Sequence, residues 1–498
     1  VWDDVDKINK FWVTLCREDF QMKHQASRWL AWITLSGIIV LAVLGSFHLM
    51  SRPLDLAVQE SLPGMDGRPT GVVTSVESVR IGALFNKGNG VPSSLPGLWL
   101  GFRGADGLNV AVPAAPLADT WPTVGPVRVW SVELGEGHAG PAVWAGRVYV
   151  LDYDETRHAD VLRCLSLDDG RQIWERGYPV RIKRNHGFSR TVPSVGSGAV
   201  VSIGPRCHLM IVDAVTGDLR WGVDMVRAFG TVEPDWYTGQ CPLIDQGVAV
   251  FAPCGTNVFM MGMDCKDGRE VWSTPMPGKW KMSHSSVVLT TIGGKRMYVY
   301  AAINGMAGVS AEAEDRGRLL WKTEEWSPSV IVPCPVVLEN GRIFVTAGYG
   351  SGAMVFDVKR EGDRFEVAMV KRYTPREGFA SEQQTPVAFD GRLFGVLPKD
   401  AGPDRNQFAC ADAEGKILWT SGKDARFGLG PVLVAGDRFL VMADDGVLTM
   451  VRASTAGWQM MTQAKVLDGH DAWGPMALAG TRLLVRDSKR MVCLELGE

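Results

Sequence analysis

With 498 residues, 46% hydrophobic and 21% charged, the chain is long enough to bury a large core, and its composition excludes global disorder. A formal charge of -3 gives no broad attraction for polyanions, which excludes nucleic acid as a general partner. The 57 glycines and 18 tryptophans suit many short strands and turns, so an all-β chain is expected.

In chain order, Val5, Ile8, Phe11, Trp12 and Leu15 recur at three- and four-residue spacing, which predicts an amphipathic helix within a cytoplasmic segment 1–28. It would lie on a membrane surface or against a partner. Residues 29–50 carry no Asp, Glu, Lys or Arg. At about 1.5 Å per residue this stretch covers a hydrocarbon layer of about 30 Å, so it is predicted to be a transmembrane helix in contact with the bilayer. Lys10, Arg17, Lys23 and Arg28 precede it, against Arg52 and Arg68 after it. That bias places the N-terminus in the cytoplasm and the rest in the periplasm, as a single-pass protein of a bacterial inner membrane. A Gly/Pro/Ser-rich stretch, 51–97, is expected to be a linker.

From 98 to 498 one unit repeats. A Gly four residues before a Trp occurs at Trp174, Trp221, Trp272, Trp321 and Trp419, and Trp130 opens the series. Phe365 takes a degenerate slot and Trp458 is a weaker last member. A second pattern, Pro or Ser followed by an apolar strand, a turn and another strand, starts at Pro141, Pro193, Pro242, Ser286, Pro335, Pro386, Pro431 and Pro475. Two markers in phase at about 45 residues predict an eight-bladed β-propeller of four-stranded blades, with seven blades as the alternative count. The last copy is short of a strand, which the segment near Trp130 is expected to supply. The repeated tryptophans, Trp130, Trp174, Trp221, Trp272, Trp321 and Trp419, are read as structural residues that fill the wedge between blades.

The segment IVDAVTGDLRW, with Asp213, Thr216, Gly217 and Trp221, and the opening LWLGFRGADG at 98–107 resemble the pyrroloquinoline quinone (PQQ) repeat family, the quinoprotein alcohol dehydrogenase-like propellers. The family holds quinoprotein dehydrogenases and non-enzymatic members that present their surface to partner proteins. In its dehydrogenases the resemblance implies a vicinal cysteine disulfide over the quinone, a calcium held by acidic and amide side chains, and a catalytic Asp. The nine cysteines here include no vicinal pair, CxxC or CxxCH. They are read as buried thiols, with one or two disulfides among Cys207, Cys241, Cys254 and Cys334 as the alternative.

Residues leading into each inner strand should converge on the central funnel. His138, Arg190, Gln240, His284, Gln383, His470, Asp471 and Trp473 are therefore the candidate ligand-binding residues. No catalytic residue and no metal site is assigned. The basic run at 181–186 is read as an exposed inter-strand loop, with docking of an acidic partner or lipid headgroups as the alternative. The expected function is a membrane-anchored, extracytoplasmic, non-catalytic binding or scaffold subunit of a membrane or envelope protein complex, with other subunits as partners and no cofactor. The alternative is a periplasmic quinoprotein-like oxidoreductase holding PQQ or another small cofactor in the funnel.

Overall fold

Short alternating strands joined by glycine turns give eight four-stranded antiparallel blades, as the repeats predict, two of them extended by a fifth strand. The structure, a computed structural model, describes residues 35–37, 40–42, 44, 79–111 and 115–497. The chain divides into two compact units, Val1–Glu77 and Ser78–Glu498. In the first, the described residues 35–37, 40–42 and 44 are helical and exposed. The rest of the expected span 29–50, the segment 1–28 and residues 51–78 lie outside the described residues. Among the described residues no helix is long and apolar enough to cross a membrane.

The second unit is the propeller. Blade 1 runs through Ala142–Trp144, Arg147–Asp154, Ala159–Ser166 and Gln172–Pro179, from the innermost strand outward. Blades 2 to 7 repeat this order, with inner strands beginning at Ser194, Leu243, Val288, Val336, Val387 and Val432. Blade 8 takes its outer strand from the N-terminal side: Val127–Glu133 pairs antiparallel with Arg490–Glu495, so the ring closes as expected. The core sits in the inner strands, such as Ala199–Ile203 and Val248–Phe251, which are buried throughout. By contrast, the outer strand Arg364–Tyr373 is mostly exposed.

The spacing of Gly and Trp has a direct physical cause. Each such glycine closes the turn before the outer strand, and the Trp of the preceding blade packs onto it. A Cβ on Gly170 would stand 2.8 Å from the Trp130 ring, one on Gly217 2.6 Å from Trp174, one on Gly268 2.9 Å from Trp221 and one on Gly317 3.1 Å from Trp272. The indoles of Trp130 and Trp174 also donate to Leu167 and Val215 carbonyls in those neighbouring turns, and Trp419 donates to Thr455. Blade 5 departs from the expectation, because Tyr373 rather than Phe365 meets the next turn, 3.0 Å from a Cβ on Gly415. Trp321 stays within its own blade, its indole against the Met297 sulfur.

A second device links the blades around the channel. The Val192 amide donates to the Cys241 sulfur, the Cys241 amide to Ser286 Oγ, the Ser286 amide to the Cys334 sulfur and the Cys334 amide to Thr385 Oγ1. This buried belt runs from blade 2 to blade 6 and gives two of the cysteines a role as acceptors. All eight described cysteines are free and buried, so the alternative of disulfides among Cys207, Cys241, Cys254 and Cys334 is not realised.

Residues 84–97, assigned from sequence to the linker, belong to the ring instead. Leu84–Lys87 adds a fifth strand to the outer edge of blade 1, and the Ser93 amide donates to the Gly146 carbonyl. The chain then crosses the channel. Trp99 pairs with Val143 of blade 1, the Leu100 carbonyl accepts from Val195 of blade 2, and Val110–Ala111 lies parallel to Val434–Ala435 of blade 7. Arg103, only 8% exposed, fixes the crossing by donating to the Thr385 and Pro386 carbonyls of blade 6 and to the Gly107 and Leu108 carbonyls of its own loop. The LWLGFRGADG motif is thus a floor that turns the channel into a cup.

Candidate functional site

Above that floor is a cavity of about 510 Å³ into which the lead-in segments of all eight blades converge, with Phe102 from the crossing segment beneath it. Two charged groups dominate it. On the wall formed by blades 1 to 4, Arg190 stands between His138 and His284. Its Nη2 donates to the Asn185 and His186 carbonyls, and its Nη1 has no partner. Burial lowers its pKa to about 10. Burial, with the nearby guanidiniums of Arg486 and Arg190, drives His138 down to about 3. Burial and Arg190 take His284 to about 4, so both imidazoles are neutral at ordinary pH. Each ring makes a hydrogen bond to backbone, at His186 and Tyr237 respectively, and leaves Nδ1 unpartnered.

Across the cavity, Glu382 is 3% exposed. Its Oε1 accepts from Lys399 Nζ at 2.8 Å while Oε2 has no partner. That bond raises the Lys399 pKa. Trp473 completes this side, its indole donating to Asp444 at 2.7 Å and its ring 5.1 Å from His138. Trp236 stands 6.1 Å from His284, ring to ring.

Of the residues expected in the funnel, His138, Arg190, His284, Gln383 and Trp473 line the cavity. Gln240 does not. It is fully buried and clamps the second strand of its own blade, donating to the Ala252 carbonyl and accepting from the Ala252 amide. His470 and Asp471 also lie outside, paired with each other at 2.8 Å, with the His470 side chain 77% exposed. Their loop swings outward before Trp473 returns to the wall, and Asp471 takes a φ of 58° in the turn. Sequence reasoning missed Phe102, Trp236, Tyr349 and Lys399. Tyr349 and Lys399 sit between the second and third strands of blades 5 and 6, loops that open on the same face as the lead-in segments. An aromatic or basic residue at that offset was the available signal.

The residues present do not fit a calcium-held quinone. Among the described residues no group of three His, Cys, Asp or Glu could hold a metal ion. Among the described residues Glu382 is the one carboxylate on the cavity wall, and it is committed to Lys399.

Fold and site together define an eight-bladed propeller with a floored funnel, polar on one wall and aromatic around it. The sequence model of the family described as outer membrane protein assembly factor BamB matches residues 157–394. Similar solved structures include BamB from Moraxella catarrhalis, at 14% identity and TM-score 0.50 over 74% of this chain and 99% of that one. A europium-containing methanol dehydrogenase matches at 12% identity and TM-score 0.56, over 80% and 90%. A quinohemoprotein alcohol dehydrogenase from Comamonas testosteroni matches at 12% identity and TM-score 0.53, over 80% and 81%. At these identities the structures share the fold alone. No curated protein sequence matches the chain. The match over residues 157–394, with the shared fold, supports a PQQ-repeat β-propeller family.

Proposed function

We propose that this chain is a binding and scaffold subunit of a membrane or envelope protein complex, non-catalytic, held by residues 29–50 in a bacterial inner membrane with its propeller in the periplasm. The observation that carries the reading is the funnel wall, where a guanidinium and the neutral imidazoles of His138 and His284 face a carboxylate already ion-paired to Lys399. A carboxylate already in an ion pair is poorly placed to take a substrate proton. Support also comes from the match to a family described as an outer membrane protein assembly factor. The charge bias around 29–50 and the length of that apolar stretch support the anchor. A rigid ring with variable loops suits docking of other subunits.

The test is native mass spectrometry of the full chain extracted gently from its own membrane, with an absorbance spectrum of the same sample. Stoichiometric partner subunits without a chromophore are expected. A monomer carrying a quinone mass and near-ultraviolet absorbance would overturn the proposal in favour of a quinoprotein oxidoreductase.

A further inference from the structure

We propose that the outer edge of blade 5 docks an extended segment of a partner subunit as a fifth strand, and that this segment is apolar at its centre and acidic at its ends. The chain itself makes such an addition elsewhere. Leu84–Lys87 pairs antiparallel along the outer strand of blade 1, and the Arg176 guanidinium of that strand lies over the added Phe85 ring, 4.0 Å from its centroid. Blade 5 has the longest outer strand, Arg364–Tyr373, with 10 residues. Those of the other blades have between 4 and 8. Among the described residues no strand or bridge pairs with the far side of Arg364–Tyr373, so its outward N–H and C=O groups are open to an incoming backbone.

The side chains select the kind of partner. Phe365 and Val367 pack on the core between blades 4 and 5. Ala368, Met369 and Val370 are instead exposed in a row, Met369 by 40% and Val370 by 50%. A run of exposed apolar residues on a strand edge is a template for another strand. Val370 has no partner on the inner side, because a bulge separates the Met369–Phe356 and Lys371–Val355 pairs. The regular template is therefore Arg364–Met369. Within the strand the exposed Arg364, Lys371 and Arg372 outnumber Glu366, while the turn before it, with Lys359, Arg360, Glu361 and Asp363, is balanced. That positive excess repels a second copy of the same edge and matches a segment with acidic ends. The inference rests on the reading of the chain as a docking subunit and adds the edge that docks.

The experiment uses the full chain in detergent and a capped, fluorescent peptide with a Val-Thr-Val-Ile-Val centre between pairs of Glu, followed by fluorescence anisotropy and hydrogen exchange. The peptide is expected to bind and to slow exchange at the amides of Arg364–Val370 and at no other blade edge. The same centre between pairs of Lys should bind about tenfold more weakly, because like charges meet. Methylating alternate backbone nitrogens of the peptide should abolish binding for one alternate set and spare it for the other, since only one set faces the edge. The triple variant Arg364→Glu, Lys371→Glu, Arg372→Glu, changed only at exposed positions, should reverse the preference toward the Lys peptide, with circular dichroism confirming that it is folded. The proposal is overturned if the Glu peptide does not bind, if the Lys peptide binds as tightly, if both methylated peptides bind, if protection falls on another edge, or if the folded triple variant keeps the wild-type preference. Partner subunits found by mass spectrometry without peptide binding would leave the docking reading in place and remove this edge. A quinone bound to a monomer would remove the docking reading whatever the peptide does.

Discussion

Replacing Gly217 by Ala tests the account of why Gly and Trp keep their spacing. Gly217 has a φ of 75°, and a side chain held in the left-handed region costs about 1–2 kcal/mol. Its new Cβ would also stand 2.6 Å from the Trp174 ring, an overlap whose relief costs about 1–3 kcal/mol. The sum, about 2–5 kcal/mol, is the expected destabilisation. Gly391 supplies the control, because its φ is 66° but nothing lies within 4 Å of its Cβ, so Gly391→Ala should show the backbone cost alone. Truncating Trp174 to Ala costs about 3–5 kcal/mol by itself. It also removes the overlap, so Gly217→Ala in that background should fall to the cost seen at Gly391. Equilibrium urea unfolding followed by circular dichroism gives all four values. If Gly217→Ala costs no more than Gly391→Ala, or if the two changes at the blade junction simply add, the turn is not the socket of the preceding tryptophan.

Four further outcomes follow from buried groups. Burial raises the Asp160 carboxyl to about 7, against the hydrogen bond it accepts from Tyr178. The native state then keeps a proton the unfolded chain has released, and this residue's contribution to stability falls as pH rises from about 4 to about 7. Asp160→Asn should remove that component, so the urea midpoint of wild-type minus variant declines across this window; a flat difference refutes the assignment. His138 and His284 act in the opposite direction, losing stability as pH falls below their ordinary value toward about 3 and about 4. Cys334→Val keeps the volume but leaves the buried Ser286 amide without its acceptor, so it should cost about 1–3 kcal/mol and more than Cys334→Ser; equal urea midpoints would remove the belt from the account. Arg103→Met should loosen the floor, seen as faster hydrogen exchange at Val110 and Ala111 while the blade strands stay protected.

The ring was legible because its signals are local and repeated. Gly and Trp positions recur in phase, and the shortage of one strand after Pro475 already pointed to closure by the segment near Trp130. What was not legible depended on contacts far apart in sequence. Nothing local distinguishes residues 84–97 from a linker, since their strand exists only through pairing with Gln172–Pro179. The same holds for Arg103, whose blade partners lie 282 and 283 residues away. In the funnel the lead-in offset identified five lining residues, but it could not tell which side chain of a lead-in segment turns back into its own blade. Gln240 sits between Gly239 and Cys241, both on the cavity wall, yet turns away to bond the Ala252 backbone of its own blade.

One short segment in each of blades 2 and 6 serves both the cavity wall and the ring. In blade 2, Arg190 faces the cavity, the Thr191 hydroxyl donates to the Ile203 carbonyl, and the Val192 amide donates to the next blade's cysteine. In blade 6, Glu382, Gln383 and Gln384 face the cavity, and Thr385 then closes the belt. Cavity residues are thus followed at once by residues that hold the ring, so the funnel wall is positioned by the same hydrogen bonds that join the blades. A cup built this way is pre-organised, because the side chains of its wall are held by the bonds of the ring rather than by mobile loops.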